Sequence, residues 1–216
     1  MPIERTVEVK GGAAWHRADF VYPCAAEPAR GARIIVEIGP GRGDFLFHLA
    51  ESNPDASVVG IEIKGKRVDK IIRRIERRGL ENVTVIQDDA RAALPRLFAA
   101  STVDEIHIQF PDPWPKRRHA KHRPINEGLL AECARVLKPG GTLSFITDHR
   151  PYAEFSSGML ARTEGIANCY AEPFVTDLAD AFPTFFSEKW KAEGRSIYYQ
   201  RYRKAVTGDL LIEDLC

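Results

Sequence analysis

Several carboxylates of this chain stand directly after short apolar runs, which are the runs expected to form buried strands. They are Glu37, Glu62, Asp88, Asp89, Asp112 and Asp148. In an open parallel sheet the carboxyl ends of the strands meet at one edge, and ligands bind in the crevice there. Acidic groups are rarely gathered without a partner, so this crevice would suit a cation or a ligand with hydroxyl and amine donors.

A glycine-rich turn follows the first carboxylate and narrows the choice of ligand. Gly39, Gly41 and Gly43 approach the dinucleotide pattern G-x-G-x-x-G, but the third glycine comes one residue early and Asp44 takes its place. A negative charge there would oppose a diphosphate. S-adenosylmethionine has no phosphate, carries a sulfonium and an ammonium, and offers a ribose diol. Glu62 follows at the spacing of about 20 residues at which such folds hold a ribose.

Each of these features also has a purely structural explanation when taken alone. The glycines could form a turn without a ligand, Glu62 could end a solvated loop, and Asp89 could cap a short helix. Their common register with the predicted strand ends favours a cofactor site instead. Its expected contacts are Glu37, Gly39, Gly41, Glu62 and Asp89.

The most basic stretch of the chain begins immediately after Asp112. Prolines flank this acid, Trp114 follows, and a run of cations comes next. The cations are Lys116, Arg117, Arg118, Lys121 and Arg123. Such a run can track the phosphates of a nucleic acid, and Trp114 could either stack on an extruded base or pack the loop onto the core. A charge run is commonly just a solvated loop, but its place beside an acid at a strand end favours RNA contact.

The elements that would position these residues alternate between strand and helix. Strands are predicted over 33–39, 57–63, 83–87, 103–110 and 142–147, and helical patterns lie between them. This alternation predicts right-handed crossovers, a mostly parallel sheet and helices on both faces, which is an α/β fold. A late strand over 196–202 is expected to pair antiparallel at the edge of the sheet.

The predicted helix over 66–79 is amphipathic. Apolar residues recur along it at helical spacing, and Lys70, Arg73, Arg74 and Arg77 occupy other positions. These cations either extend the RNA surface or only keep the helix solvated, and the sequence does not distinguish the two.

Composition bounds the class of protein. The 216 residues are 44% hydrophobic and 28% charged, which suits one domain over 1–216. The formal net charge of +1 gives no bulk attraction to a polyanion, so nucleic-acid binding must come from local patches. The cysteines contain no C-x-x-C pair, and His119 and His122 have no third ligand nearby, so no metal site is predicted. Without a signal peptide or a membrane-spanning run, we expect a cytoplasmic protein; the oligomeric state is not determined, and a monomer is favoured.

The chain resembles the bacterial tRNA guanine-N7 methyltransferases of the TrmB type. The likeness rests on VEIGPGRGDFLFHLA, GIEI, DDA, FPDPWPKRRHAKHR and TDHRPYAEF in this order, across 34–155, with a weaker match in PTFFSEKWKAEGRSIYY. It implies a Rossmann-like class I methyltransferase fold with an antiparallel terminal strand, S-adenosylmethionine as cofactor, and tRNA as partner, methylated at N7 of a variable-loop guanine (position 46). It also implies an N-terminal extension over 1–32, a cofactor-binding core over 33–150 and a C-terminal substrate-binding part over 151–216.

The resemblance assigns roles to single positions. Asp112 matches the catalytic residue and is counted with the cofactor contacts; Glu37 and Glu62 match the acids near the methionine end and the ribose, and Asp89 the acid at the adenine. The substrate contacts that the resemblance implies are Lys116, Asp148 and the segment from Thr184, with Ser187 and Glu188. The basic run and the extruded base add Trp114, Arg117, Arg118, Lys121 and Arg123 to the expected contacts. The chain departs from the family where Thr-x-aromatic-Glu is usual, because Ser187 precedes the acid, and 1–32 shows no match to the family's basic arm.

The chemistry of N7 methylation can be argued separately. Guanine N7 presents a lone pair, so the reaction needs alignment rather than a general base. Asp112 is expected to accept hydrogen bonds from the N1 and N2 edge of the guanine and to stabilise the cationic product ring.

Two alternatives stay open. Asp112-Pro113-Trp114 is similar to the Asp-Pro-Pro-Tyr motif of exocyclic-amine methyltransferases, so an amine of another RNA could be the target, although the second proline is missing. A non-catalytic RNA-binding module on the same fold is the other alternative, and the intact acids and glycines count against it.

Overall fold

The computed structural model describes the backbone of 14–16 and residues 33–114, 124–178 and 181–206. The strands are β1 (Ala14–His16), β2 (Ile34–Ile38), β3 (Ser57–Ile61), β4 (Val83–Ile86), β5 (Val103–Gln109), β6 (Leu137–Thr147), β7 (Ile166–Asn168), β8 (Val175–Thr176) and β9 (Tyr198–Lys204). The helices are α1 (Asp44–Ser52), α2 (Gly65–Arg78), α3 (Ala90–Leu97), α4 (Glu127–Val136), α5 (Arg150–Leu160) and α6 (Phe185–Ala192).

The strands of this part of the chain form one sheet in the order β1-β4-β3-β2-β5-β6-β9-β7. Strand β2 pairs in parallel with β3 on one side and with β5 on the other. After β2, the chain adds β3 and β4 on one side of it and then returns to add β5 and β6 on the other side, so the strand order reverses beside β2. A ligand crevice is expected at the carboxyl ends of the strands at such a point. The predicted α/β fold with a mostly parallel sheet is confirmed.

Strand β9 is inserted antiparallel between β6 and the short strands β7 and β8. The antiparallel terminal strand implied by the family resemblance is therefore confirmed. The expectation that this strand lies at the edge of the sheet is wrong, because its second hydrogen-bonding side pairs with β7 and β8. Those strands are three and two residues long, too short to give a periodic signal in the sequence.

Both faces of the sheet are covered, as the near-continuous apolar strands require. Side chains alternate between faces along a strand. Thus Ile35 packs with residues of α1 and α2, whereas Val36 packs with residues of α3, α4 and α5. The crossover helices in this way hold the strand ends, and the loops that follow them, on a rigid core.

Strand β6 begins earlier than predicted. It was expected to start after Pro139-Gly140-Gly141, but Leu137 already pairs with Val103. The pairing register shifts between this pair and the next one, Glu105–Thr142, so β6 has extra residues that do not pair regularly with β5. Pro139 lies among them, where its missing backbone N–H is tolerated. Helices α5 and α6 were not predicted individually. Their signals are Pro151 in the first turn of α5 and a Thr184–Ser187 capping pair at the start of α6.

Candidate functional site

A cleft of about 690 Å³ opens at the carboxyl ends of β2, β3, β4, β5 and β6. The strand ends bring together predicted residues that are far apart in sequence. Those lining the cleft are Glu37, Gly39, Gly41, Glu62, Asp88, Asp89, Asp112, Trp114, Asp148 and Thr184. The volume lies in the range of small-molecule sites.

Glu37 is the penultimate residue of β2, lies on the floor of this cleft and is 2% exposed. Its Oε2 accepts no hydrogen bond from any residue that the structure describes. Burial, with smaller contributions from the nearby Asp44 and Glu62 carboxylates, raises the pKa of Glu37 from 4.5 to about 8. A buried acid with a vacant oxygen is a strong acceptor for a cationic group, because ion pairing would offset the cost of its desolvation.

Glu62 follows β3 and holds the glycine turn in place. Its Oε2 accepts the Gly41 backbone N–H at 3.1 Å, and its Oε1 accepts the Lys64 N–H at 2.9 Å. The Arg67 guanidinium lies 3.6 Å from the same Oε2. Each carboxylate oxygen can accept a further hydrogen bond, so Glu62 can orient the turn and still bind a pair of hydroxyl groups.

The turn between β2 and α1 needs glycine for two different reasons. Gly39 has φ +75° and no atom within 4 Å of the place a Cβ would take, so its vacant side faces open space. Gly43 has φ +82°, and a Cβ there would lie 2.7 Å from Phe47 Cζ. Gly39 therefore leaves room for a ligand, whereas Gly43 lets α1 pack.

Asp89 lines the cleft and also caps α3. Its Oδ1 accepts the Arg91 backbone N–H at 2.9 Å, and its carboxylate forms an ion pair with the Arg91 side chain. The hydrogen bond from the Arg91 side chain is the largest cause that lowers the pKa of Asp89, which therefore stays ionised. Both functions proposed from the sequence, a helix cap and a cofactor contact, are compatible with this position.

The segment after β5 carries Asp112 at the rim of the cleft. Asp112 is exposed, and Phe110 and Trp114 on either side have φ of +46° and +42°. Non-glycine residues in this region cost about 1–3 kcal/mol each and are concentrated at functional sites. The predicted contacts Lys116, Arg117, Arg118, Lys121 and Arg123 lie outside the described residues.

Asp148 follows β6 and is held by an arginine that no sequence pattern singles out. Arg195 Nη1 donates to Asp148 Oδ2 at 2.8 Å, and the same guanidinium lies 4.1 Å from the centroid of the Trp190 ring. The ion pair joins the strand end to the segment that follows α6. Arg195 and Trp190 also line the cleft.

Helix α6 contributes aromatic rings to the cleft wall. Phe185 lies under the Arg42 guanidinium, 4.1 Å from its ring centroid, and Phe186 contacts Phe110 at 6.1 Å between centroids. Both phenylalanines are partly exposed and line the cleft. Sequence reasoning missed Arg42, Phe185 and Phe186 because only the tertiary fold places α6 against the glycine turn.

The residues at the start of α6 differ in their surroundings. Thr184 and Ser187 are buried, whereas Glu188 is exposed. The Ser187 hydroxyl is engaged with Thr184, and neither Ser187 nor Glu188 lines the cleft. Their assignment as substrate contacts stays a prediction.

Within the described ranges, no group of three or more His, Cys, Asp or Glu residues could hold a metal ion. None of the helices described there is both long and apolar enough to cross a membrane.

The residues of the cleft fit S-adenosylmethionine. The vacant Glu37 oxygen matches an ammonium, the remaining lone pairs of Glu62 match a ribose diol, and the open space beside Gly39 admits a ligand close to the backbone. A phosphate at the start of α1 would be opposed by the negative charge of Asp44, whose carboxylate pairs with Arg74 at 2.8 Å.

Comparisons with known proteins give a consistent result. A family model described as "Putative methyltransferase" matches residues 31–200. The tRNA (guanine-N(7)-)-methyltransferase of Geobacter metallireducens is 37% identical over 180 residues, which span 81% of this chain and 83% of that protein. The enzyme of the same name from Syntrophotalea carbinolica is 34% identical over 171 residues, or 79% of this chain and 74% of the relative.

Among solved structures, a SAM dependent methyltransferase from Aquifex aeolicus superposes with a TM-score of 0.57 at 16% identity, covering 80% of this chain and 82% of that one. The 16S rRNA methyltransferase KamB gives a TM-score of 0.58 at 15% identity, with 81% and 88% of the two chains covered. At these identities the likeness shows the fold, which is that of the class I methyltransferases.

Proposed function

The chain belongs to the family of tRNA (guanine-N(7)-)-methyltransferases and uses S-adenosylmethionine as its cofactor, and from this premise we propose that it methylates N7 of a guanine in the variable loop of tRNA, at position 46. The observation that carries the proposal is the meeting of two acids at one cleft. Glu37 lies buried on its floor, where its Oε2 has no hydrogen-bond partner among the described residues, and Asp112 is exposed at its rim. One suits a cationic cofactor, and the other is accessible to a large substrate.

The reaction balances without a general base. The N7 lone pair would form the new bond to the methyl carbon as the carbon–sulfur bond breaks, and the positive charge would pass from the sulfonium to the guanine ring. When bound, the cofactor supplies the methyl group as an electrophile. Alignment of two reactants can supply about 7–11 kcal/mol of such a barrier, and positioning is therefore the main task of the protein.

The cofactor end of the cleft would be held by acids and glycines. Glu37 would accept hydrogen bonds from the ammonium, Glu62 from the ribose hydroxyls, and Asp89 would lie at the adenine. Gly39 and Gly41 would let the backbone approach without a Cβ in the way.

The end of the cleft that receives the guanine would be formed by Asp112 and by the aromatic wall, which consists of Phe185 and Phe186 of α6. Asp112 would accept hydrogen bonds from the N1 and N2 edge of the guanine, which fixes the ring and favours its cationic product. The exposed rings of Phe185 and Phe186 would offer apolar surface for an unstacked base. The basic run from Lys116 would then contact tRNA phosphates in the cytoplasm, where we expect the enzyme to act.

The deciding experiment is incubation of the purified protein with unmodified tRNA transcripts and methyl-labelled S-adenosylmethionine. Treatment with borohydride and aniline then cuts the RNA chain at N7-methylguanosine. Cleavage at a single variable-loop guanine would establish the reaction, the atom and the position. A transcript with that guanine replaced by adenine is the matched control and should be neither labelled nor cut.

Other outcomes select the alternatives. Label without cleavage would mean that the methyl group is on another atom, and an exocyclic amine would become the leading acceptor. Cofactor binding without any label on tRNA would argue for a different RNA or for a binding module that lacks turnover.

A further inference from the structure

Helix α2 concentrates positive charge in a chain that is nearly neutral. Its residues Gly65–Arg78 read GKRVDKIIRRIERR, with seven Lys or Arg against two acids, whereas the whole chain has a formal net charge of +1. The apolar side of the helix is accounted for, because Val68, Ile71 and Ile75 are buried in the core. The cations need a separate explanation.

Some of these cations stabilise the fold. Arg74 pairs with Asp44 at 2.8 Å, and Arg78 pairs with Glu51. Arg67 lies 3.6 Å from Glu62. The guanidinium groups of Arg74 and Arg78 also lie over the Phe47 ring. These three arginines therefore have partners within the protein.

The others form a basic stripe, defined here as Lys66, Lys70, Arg73 and Arg77. The spacing i, i+4, i+7 and i+11 puts them within an arc of about 60° and over a length of about 16 Å, with neighbours roughly one helical turn apart. All are exposed, and none forms an ion pair with any acid that the structure describes. The stripe lies opposite the buried face of the helix, and the acids of α2, Asp69 and Glu76, fall to one side of it.

The stripe adjoins the cofactor cleft. A second concave region of about 880 Å³ is lined by Lys70, Arg73 and Arg77, by Arg74 and the acid Glu76, and also by Gly41, Arg42 and Arg67. The last three residues line the cofactor cleft as well. A polyanion whose modified base enters the cleft could therefore continue past Arg42 and Arg67 onto the cations of α2.

We propose that the basic stripe on α2 binds the phosphate backbone of the tRNA at a distance from the methylated base. This rests on the proposed function, because tRNA is the polyanion that the cleft is inferred to receive. Cations placed about one turn apart along a helix suit successive phosphates, and contacts of this kind position a nucleic acid without reading its sequence. The stripe would orient the tRNA body while the aromatic wall and Asp112 hold the base.

The test is the salt dependence of tRNA affinity in the double variant R73Q/R77Q. Glutamine removes the charge and keeps helix propensity. The slope of log affinity against log salt should become shallower by about 2, roughly 1 for each phosphate that the variant no longer neutralises. The matched control is R162Q/R201Q, which removes the same charge from two exposed arginines on the other half of the protein, one just after α5 and one in β9. Its slope should equal that of the wild type.

The outcomes are distinguishable. A shallower slope in R73Q/R77Q alone, with wild-type affinity for S-adenosylmethionine as the check of folding, supports the stripe. An unchanged slope overturns it, and so does an equal change in both double variants, since that would report only total charge. If the wild type methylates tRNA while R73Q/R77Q keeps the full slope, the stripe fails and the proposed function stands. If the wild type neither binds nor methylates tRNA, both fail.

Discussion

Thr184 and Ser187 cap helix α6 reciprocally. The Ser187 backbone N–H donates to Thr184 Oγ1 at 3.1 Å, and the Thr184 backbone N–H donates to Ser187 Oγ at 2.7 Å. This is a capping box in which serine stands at the position that Glu or Gln usually occupies. The family pattern Thr-x-aromatic-Glu has the spacing of the same box. The serine thus preserves the helix start, and through it the positions of Phe185 and Phe186.

Replacement of Ser187 by alanine should lower the free energy of unfolding by about 1 kcal/mol, because the buried Thr184 N–H loses its acceptor. Urea unfolding measures this loss. In a double-mutant cycle with Thr184→Ala, the combined loss should be smaller than the sum of the single losses, since each change removes the same box. Glu188→Ala, in the same turn but exposed, is the control and should cost less. Unchanged stability together with weaker tRNA binding would instead identify Ser187 as a direct substrate contact.

Replacement of Asp112 by asparagine should reduce turnover about 100-fold, in line with the loss of one preorganised electrostatic contact at a reacting centre. Affinity for S-adenosylmethionine should change little, because the guanine is the proposed partner of this carboxylate. Single-turnover rates on saturating tRNA and calorimetric titration of the cofactor separate the two effects. Asp55→Asn, an exposed acid outside the cleft, is the control. An equal loss of cofactor affinity would contradict the proposed role of Asp112.

Glu37 should make the cofactor-free protein less stable as pH rises. Its pKa is 4.5 when unperturbed and about 8 in the fold, so between these values the folded protein keeps a proton that the unfolded chain has released. The contribution of Glu37 is therefore largest below the unfolded pKa and is lost as pH rises through the folded pKa. Comparing urea unfolding of the wild type and Glu37→Gln across this window should show the difference shrinking or reversing toward high pH. A constant difference would contradict the raised pKa.

The same residue should link cofactor binding to proton release. A cationic ammonium favours the ionised carboxylate, so binding below about pH 8 must displace the Glu37 proton. Affinity for S-adenosylmethionine should therefore rise with pH toward that value in the wild type. Calorimetry in buffers of different ionisation enthalpy would count the released proton. Release that persists in Glu37→Gln would assign it to another group.

Two glycines with similar backbone geometry should respond differently to alanine. Gly39 and Gly79 have φ of +75° and +64°, and neither has an atom within 4 Å of an added Cβ. Each substitution should cost about 1 kcal/mol of stability from left-handed strain. Only Gly39 lines the cleft, so Gly39→Ala should also weaken cofactor binding about tenfold or more, whereas Gly79→Ala should not. Equal cofactor affinity in the two variants would show that the Gly39 side of the turn does not face the ligand.

Much of the site could be predicted because the carboxyl ends of parallel strands lie at the same edge of the sheet. A residue near the end of any such strand is therefore expected at that edge. Glu37 lies near the carboxyl end of β2, Glu62, Asp89, Asp112 and Asp148 follow later strands, and the fold brings all five to one cleft as expected. The same reasoning could not find Arg195, whose ion pair with Asp148 joins residues 47 positions apart. No periodicity reports such a contact, since it depends on where the chain returns after α5.

The sequence by itself determined the α/β class, the parallel core, the glycine turn and the identity of the acids at the strand ends. Burial of a strand or helix produces a hydrophobic periodicity, and an unusual backbone conformation requires a particular residue type, so both can be read from a short stretch of sequence. The tertiary structure alone decided that β9 enters the sheet between β6 and β7, that the Glu37 Oε2 lacks a hydrogen-bond partner among the described residues, and that Phe185 lies against Arg42. Each of these depends on long-range packing, in which desolvation and contact arise only once distant segments meet.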